Sequence, residues 1–384
     1  LHLVWKGWLP NNPRPQIFHF SSSDGGITWG ERHQVFYHGS AMLKYPRLAA
    51  NGDTLFLSCR TNYRLLVFRS LDNGQTWGDS TAVEDSHSIV IDHSPYLLFS
   101  QGRLHLVYQL GIVGDPFGIE IYHRYSDDYG LTWSDRYPLS TLEPYPYHEH
   151  GQAPSAYVDS SGNIMALWFD YKYGSECGFT GDILGRVSTD NGDTWFPESR
   201  LTYTQTGSGS SCLILGGALY AVWMDDLPQG CFHPKIMYSE SSDWGTTWRD
   251  PEVITGPAER SEFSPILLYN TVIDTTILHC VMRGDIPGHG SGLYYFKNER
   301  TTEISDMDNG IVPSAIILTA YPNPFNSSTV MSFSGSEGGD IKIEIFNLSG
   351  QIVKSVEAKG KEGKIVWDAT DALGNKVSSG IYFA

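Results

Sequence analysis

Five stretches of the chain share one spelling. They are SSDGGITW at 22–29, SLDNGQTW at 70–77, SDDYGLTW at 126–133, STDNGDTW at 188–195 and SSDWGTTW at 241–248. Each reads S-x-D-x-G-x-T-W, and successive copies begin 48, 56, 62 and 53 residues apart. A fixed pattern returning at this period marks one supersecondary unit used repeatedly. Within the box, glycine at the fifth position permits a positive φ in a tight turn. The aspartate carboxylate accepts bonds from turn N–H groups, and serine and threonine add hydroxyls. The closing tryptophan covers the apolar side of the hairpin. These are turn-building roles, so the five aspartates are expected to stabilise structure and to take no part in catalysis.

A second repeat precedes the boxes. LHLVWK (1–6), LFLSCR (55–60), LHLVYQ (104–109), IMALWF (164–169), LYAVWM (219–224) and LHCVMR (278–283) superimpose without gaps. Their period-two alternation reads as strands. Turn signals such as NGD (51–53) and SSGN (161–163), each after another apolar run, complete a unit of strand, turn, strand, loop, strand, box, strand. Radial repetition of four-stranded units makes a β-propeller. Six copies of the second strand predict six blades, with the box lost from the sixth and the first strand missing from the first.

The five boxes resemble those of the sialidase-like, Asp-box (BNR repeat) six-bladed β-propellers, over about residues 1–300. The resemblance implies a glycan-active or glycan-binding propeller.

Strand alternation puts the boxes on one face of the disc and the ends of the second strands on the other. There the aligned column reads Lys6, Arg60, Gln109, Phe169, Met224, Arg283, and the next reads Gly7, Thr61, Leu110, Asp170, Asp225, Gly284. Three cations thus face two carboxylates across the expected central mouth, with Arg47 beside the cationic sector. Guanidinium groups hold carboxylates through a planar fork of donors. Lys6, Arg47, Arg60 and Arg283 are therefore the expected substrate-binding residues, and Asp170 or Asp225 the expected acid or base on a glycosidic bond. The sialidase resemblance implies an arginine triad and a tyrosine nucleophile, for which Tyr294 in GLYYF is the candidate. Three readings stay open. They are an exo-acting sialidase-type hydrolase, a non-catalytic glycan-binding or scaffold propeller, and a uronate lyase with a base drawn from His93, His148, Glu149 and His150. Cys212, Cys231 and His233 also map to this face, without the spacing of a metal site. No metal or cofactor is expected.

Composition changes near residue 318. Before it stand 15 Arg and 5 Lys, all five Cys and ten of the eleven Trp; after it there is no Arg and there are 6 Lys. The tail carries YPNPFNSSTVMSFS (321–334), IKIEIFNLSGQIV (341–353) and IVWDATDALGNKVSSGIYF (365–383), strand-like runs broken by turns. It resembles the C-terminal sorting domain of type IX secretion, which implies a secretion-machinery partner and release or attachment at the surface of a Gram-negative bacterium. The expected organisation is an all-β chain: a six-bladed β-propeller over 1–300, a linker over 301–318, and a small C-terminal immunoglobulin-like β-sandwich over 319–384. The segment VPSAIIL (312–318) resembles APSAYVD (153–159), a first strand, so it is also a candidate to close the ring beside residues 1–6.

Lys+Arg 26 against Asp+Glu 43 leaves a net charge of −17, which disfavours nucleic acid as a partner. No apolar run reaches the roughly 20 residues of a membrane span. The expected partner is an extracellular glycan, acidic sugars included, bound where cations cluster locally.

Overall fold

The computed structural model describes residues 1–8, 16–35, 43–61, 63–84, 89–90, 95–112, 119–141, 151–176, 180–226, 234–254, 260–261, 265–272, 275–286, 290–301, 316–321, 327–347, 352–378 and 382–383. All the regular structure among them is β, arranged as seven antiparallel sheets. The first sheet has three strands, His2–Gly7, Gln16–Ser21 and His33–Val35. The second has Lys44–Asn51, Thr54–Arg60, Leu65–Ser70 and Thr81–Glu84. The third has Tyr96–Ser100, Arg103–Ile112, Ile119–Ser126 and Tyr137–Pro138, with Ile89–Val90 added against the end of its second strand. The fourth runs Gly151–Val158, Ile164–Asp170, Asp182–Ser188, Ser199–Arg200, and the fifth Gly207–Leu215, Ala218–Asp225, Lys235–Ser241, Glu252–Val253. The sixth has Ile266–Val272, Thr275–Ile286 and Gly290–Thr301, with Arg260–Ser261 on its edge.

The register bears out the gapless alignment of the second strands. Leu55, Leu104, Ile164 and Leu219 each pair with the first serine of the following box, Ser70, Ser126, Ser188 and Ser241. Leu1 and Ser22 exchange the equivalent bonds in the first sheet. The expected alternation of burial in these strands does not hold. Every residue of Ile164–Asp170 is buried, and so are six of the seven in Thr54–Arg60. The reason is that neighbouring sheets cover both faces. One core, built on Ile17, Leu57 and Phe68, joins sheets one and two; another, on Phe56, Leu65 and Tyr108, joins two and three. Trp168 and Ile121 join three and four, Leu167 and Trp223 four and five, and Val222 and Leu278 five and six. The sheets are stacked face to face in chain order, and the first strands of consecutive sheets touch.

The boxes lock this stack. In each, the first serine hydroxyl donates to the aspartate, as from Ser70 Oγ to Asp72 Oδ1 at 2.7 Å, and accepts from the glycine N–H, as from Gly74 at 2.8 Å. The threonine N–H and hydroxyl then donate to the same carboxylate. These donors, the threonine hydroxyl first, hold Asp24, Asp72 and Asp243 below the usual carboxylate range, Asp72 and Asp243 at about 2. The residue before the glycine is also left-handed, even where it is Tyr129 (φ 59) or Trp244 (φ 59).

The glycine itself lies on the preceding sheet. A Cβ on Gly74 would stand 2.0 Å from the His19 ring, and one on Gly192 2.8 Å from the His123 ring. Both histidines lie three residues before the position of a box serine, and each stacks on a second histidine, His2 or His105. His19 Nδ1 donates to the Gly74 carbonyl at 3.1 Å, so its Nε2 is left to accept from His2 Nδ1 at 3.1 Å. His105 Nε2 lies 3.1 Å from Asn191 Oδ1, and its Nδ1 lies 3.2 Å from His123 Nε2. Burial lowers His19 and His105 to about 4 and His123 well below its ordinary value.

The tail forms one sheet among the described residues, Ile316–Tyr321, Thr329–Asn347, Ile352–Trp367 and Tyr382–Phe383, around its own core of Met331, Phe333, Ile343, Ile345 and Trp367. This corrects the ring-closure expectation. Ile316, Ile317 and Leu318 pair with Gly335, Ser334 and Phe333 of the tail, not with the first sheet. Partners 15–19 residues along the chain close a shorter loop, at a lower entropy cost, than partners some three hundred residues away. Residues 312–315 lie outside the described residues.

Two outcomes follow. Gly74→Ala should destabilise the protein by about 2–4 kcal/mol, because left-handed strain adds to overpacking against His19. Gly52→Ala, also at positive φ but with nothing within 4 Å, should cost only about 1–2 kcal/mol. Equal denaturant midpoints for the two variants would contradict the seating of the box. The second outcome concerns acid. Histidines whose folded pKa is depressed contribute stability that is full above pH 6.5 and is lost as pH falls toward about 4. The box aspartates add a further loss below about pH 3.8. Denaturation midpoints measured from pH 7.5 downward should decline across the first window, and the double variant His105→Phe/His123→Val, which copies Phe56 and Val67, should make the decline shallower, with His19 supplying what is left.

Candidate functional site

In sheets two and four the box bonds to the turn between the first two strands, Asn73 N to Asp53 O and Asn191 N to Gly162 O. The boxes and these turns therefore share one face. The second strands end on the opposite face, where their last residues meet the beginnings of the first strands: Arg60 pairs with Lys44, Asp170 with Gly151, Asp225 with Gly207.

On the second sheet this end is cationic and aromatic. Lys44–Asn51 is bulged between Lys44 and Arg47, and Tyr45 within the bulge is held at φ 54. The bulge turns the exposed Tyr45 ring toward Arg60, whose buried guanidinium lies 4.7 Å from its centroid. Arg47 is exposed and lies 4.8 Å from the ring of Tyr96, on the first strand of the third sheet. Burial raises the Tyr96 phenol, and Arg47 opposes that shift. Lys6, also exposed, lies 5.6 Å from the Trp8 ring. Arg47 and Lys6 make no ion pair among the described residues, whereas Arg103, Arg124, Arg136, Arg200 and Arg249 each have a carboxylate. Arg283 and Tyr294 lie on adjacent strands of the sixth sheet, at the register positions opposite Leu293 and Met282.

The two expected catalytic carboxylates are buried and enclosed. Asp170 accepts from Lys172 N at 2.9 Å and from Trp168 Nε1 at 3.3 Å. Asp225 accepts from Thr204 Oγ1 at 2.8 Å, from the Thr206 hydroxyl, and from Trp223 Nε1 at 3.4 Å. Each is served by the tryptophan two residues before it, a W-x-D pair visible in LWFD and VWMD but unread there. Sequence reasoning also missed Asp182. It is fully buried opposite Asp170, ion-paired to Arg200, and bonded to Thr202 Oγ1 and Gln205 N, both at 3.0 Å. Asp182 and Asp225 thus hold the segment 202–206, while Asp170 holds the backbone at Lys172.

Cys212 is a free buried thiol against the Met165 carbonyl, pushed up to about 12 by burial. His93, His148, Glu149, His150, Cys231 and His233 lie outside the described residues. Among the described residues there is no cluster of His, Cys, Asp and Glu fit to hold a metal, and no helix long and apolar enough to cross a membrane.

Comparison with known proteins separates the two parts of the chain. No curated protein matches it. Among solved structures, the α-L-arabinanase of Penicillium chrysogenum complexed with arabinobiose aligns at TM-score 0.53 and 17% identity, covering 77% of this chain and 88% of that one. The α-L-arabinofuranosidase Arb93A of Fusarium graminearum aligns at TM-score 0.53 and 16% identity over 77% and 89%. The Hadza microbial sialidase Hz136 aligns at TM-score 0.49 and 15% identity over 78% and 63%. What the first two share with this chain is the β-propeller fold. Residues 319–384 match the family described as the secretion system C-terminal sorting domain, and the protein is thus a β-propeller exported through type IX secretion, to the medium or the outer-membrane surface.

Proposed function

We propose that this protein is a six-bladed propeller that binds extracellular glycans at the face opposite its boxes, gripping an acidic sugar with Arg47, Arg60, Arg283 and Lys6. The tail, over 319–384, serves export as an immunoglobulin-like module. The observation that carries the binding reading is Arg47. In a chain with 43 acidic residues against 26 basic ones, an exposed arginine posed on a tyrosine ring, with no carboxylate partner among the described residues, offers its fork of donors to a ligand. Arg60, on Tyr45, lies one strand away. Hydrolysis, with Tyr294 as nucleophile and Asp170 or Asp225 as acid or base, would need one of these carboxylates to reach substrate from the burial in which protein donors hold it. This favours binding over sialidase-type catalysis.

The test is calorimetric titration with sialic acid and a galacturonate oligomer. Arg47→Ala should weaken binding by about 1.5–3 kcal/mol, the loss of a charge-assisted bond, and leave neutral sugars unaffected. Raised salt should weaken the wild type further. If neither anion binds wild type, or Arg47→Ala binds unchanged, the cations are a solvated rim. Release of free sugar from sialosides by wild type would restore the hydrolase reading.

A further inference from the structure

A second aromatic and cationic group stands at the rim of the fourth sheet, away from Arg47 and Arg60. Its parts come from two loops on the same face, 171–176 after the second strand and 201–206 after the outermost one. The Arg200 guanidinium lies 3.7 Å from the centroid of Tyr173 and 4.3 Å from that of Tyr203. One cation therefore covers one face of each ring. Tyr173 is nevertheless 41% exposed and Tyr203 73%, so broad ring surface faces solvent.

Both cations at these rings are paired. Arg200 is paired with Asp182, and Lys172, 5.2 Å from Tyr173, is paired with Glu198. Glu198 also accepts from Thr141 N at 3.1 Å. The loops are tied to each other as well. Glu176 N donates to Gln205 O at 3.1 Å, Thr180 Oγ1 to the same oxygen at 3.0 Å, and Gln205 N to Asp182. Arg200 Nε fixes Thr202 O at 2.9 Å, and Gln205 is held in the left-handed region at φ 59. Such bracing keeps the rings in place before any ligand arrives, which lowers the ordering cost of binding.

We propose that Tyr173 and Tyr203 form a separate saccharide site that stacks neutral sugar units of a glycan chain. The choice of class rests on the glycan reading above; the choice of neutral over acidic units rests on the charge balance. With both cations already neutralised there is no pull on an anion, and an aromatic face offers its surface to the C–H face of a sugar ring. The connector from Tyr203 runs to Thr204, Thr206 and Gly207, at the start of the fifth sheet's first strand, so the site lies on a path from rim toward centre.

The test is affinity electrophoresis and titration of the full chain with neutral arabino-, xylo- and cello-hexamers, and with hexagalacturonate as the acidic counterpart. At least one neutral hexamer should bind. Tyr203→Ala and Tyr173→Ala should each weaken it by about tenfold or more, while Tyr203→Phe, which keeps the ring, should stay within about threefold. Thermal melting of all three variants separates lost binding from lost fold. If no neutral hexamer binds, if well-folded alanine variants bind unchanged, or if Tyr203→Phe loses as much as Tyr203→Ala, the proposal is overturned. Arg47→Ala should leave the neutral probe untouched and weaken only the acidic one, so this site and the cationic one fail independently.

Discussion

The arrangement of this chain rests on how a box glycine sits on the sheet before it. Backbone, not side chain, makes that contact at Gly74 and Gly192, and the floor beneath is a stacked histidine pair. At Gly130 the floor is Val67 together with Leu104 of its own sheet, and at Gly245 it includes Val187. The repeated sequence therefore specifies two things at once, the turn within a sheet and its spacing to the neighbour. Serine and aspartate shape the loop so that the glycine projects correctly, and the close approach then lets the flat cores between sheets close. A strand such as Ile164–Asp170, buried on both faces, is tolerable only in that stack.

Much of this was legible in the sequence. The box reads as a turn by chemistry, and the gapless second-strand alignment survives as register because one pairing, first apolar residue to box serine, recurs in every boxed sheet. The burial pattern was not legible, since alternation assumes one wet face and these strands have none. Nor was the partner of Ile316–Leu318, because likeness to a first strand says nothing about which edge lies nearest along the chain.

The candidate sites divide in the same way. The column ending in Lys6 and Arg60 could be read because backbone register alone sets it. What each member touches could not. Arg60 and Arg47 rest on tyrosines that a bulge and a neighbouring sheet supply. Asp170 and Asp225 read as acids facing a mouth, and both are buried: Trp168 and the Lys172 N–H donate to the first, Trp223 and the 204–206 threonines to the second. Contacts between distant segments decide whether a carboxylate reacts or anchors, and spacing along the chain does not encode them.

The three described cysteines have a consequence for watching the molecule move. Cys59 lies in the core between sheets one and two, Cys212 between four and five, and Cys280 between five and six. All three are free, and burial pushes Cys212 and Cys280 up to about 12 and Cys59 higher still. A thiol so protected reacts only when its seam parts. Each of three interfaces thus carries its own native reporter, and alkylation rates resolved by cysteine would tell whether the stack loosens as one body or unzips sheet by sheet.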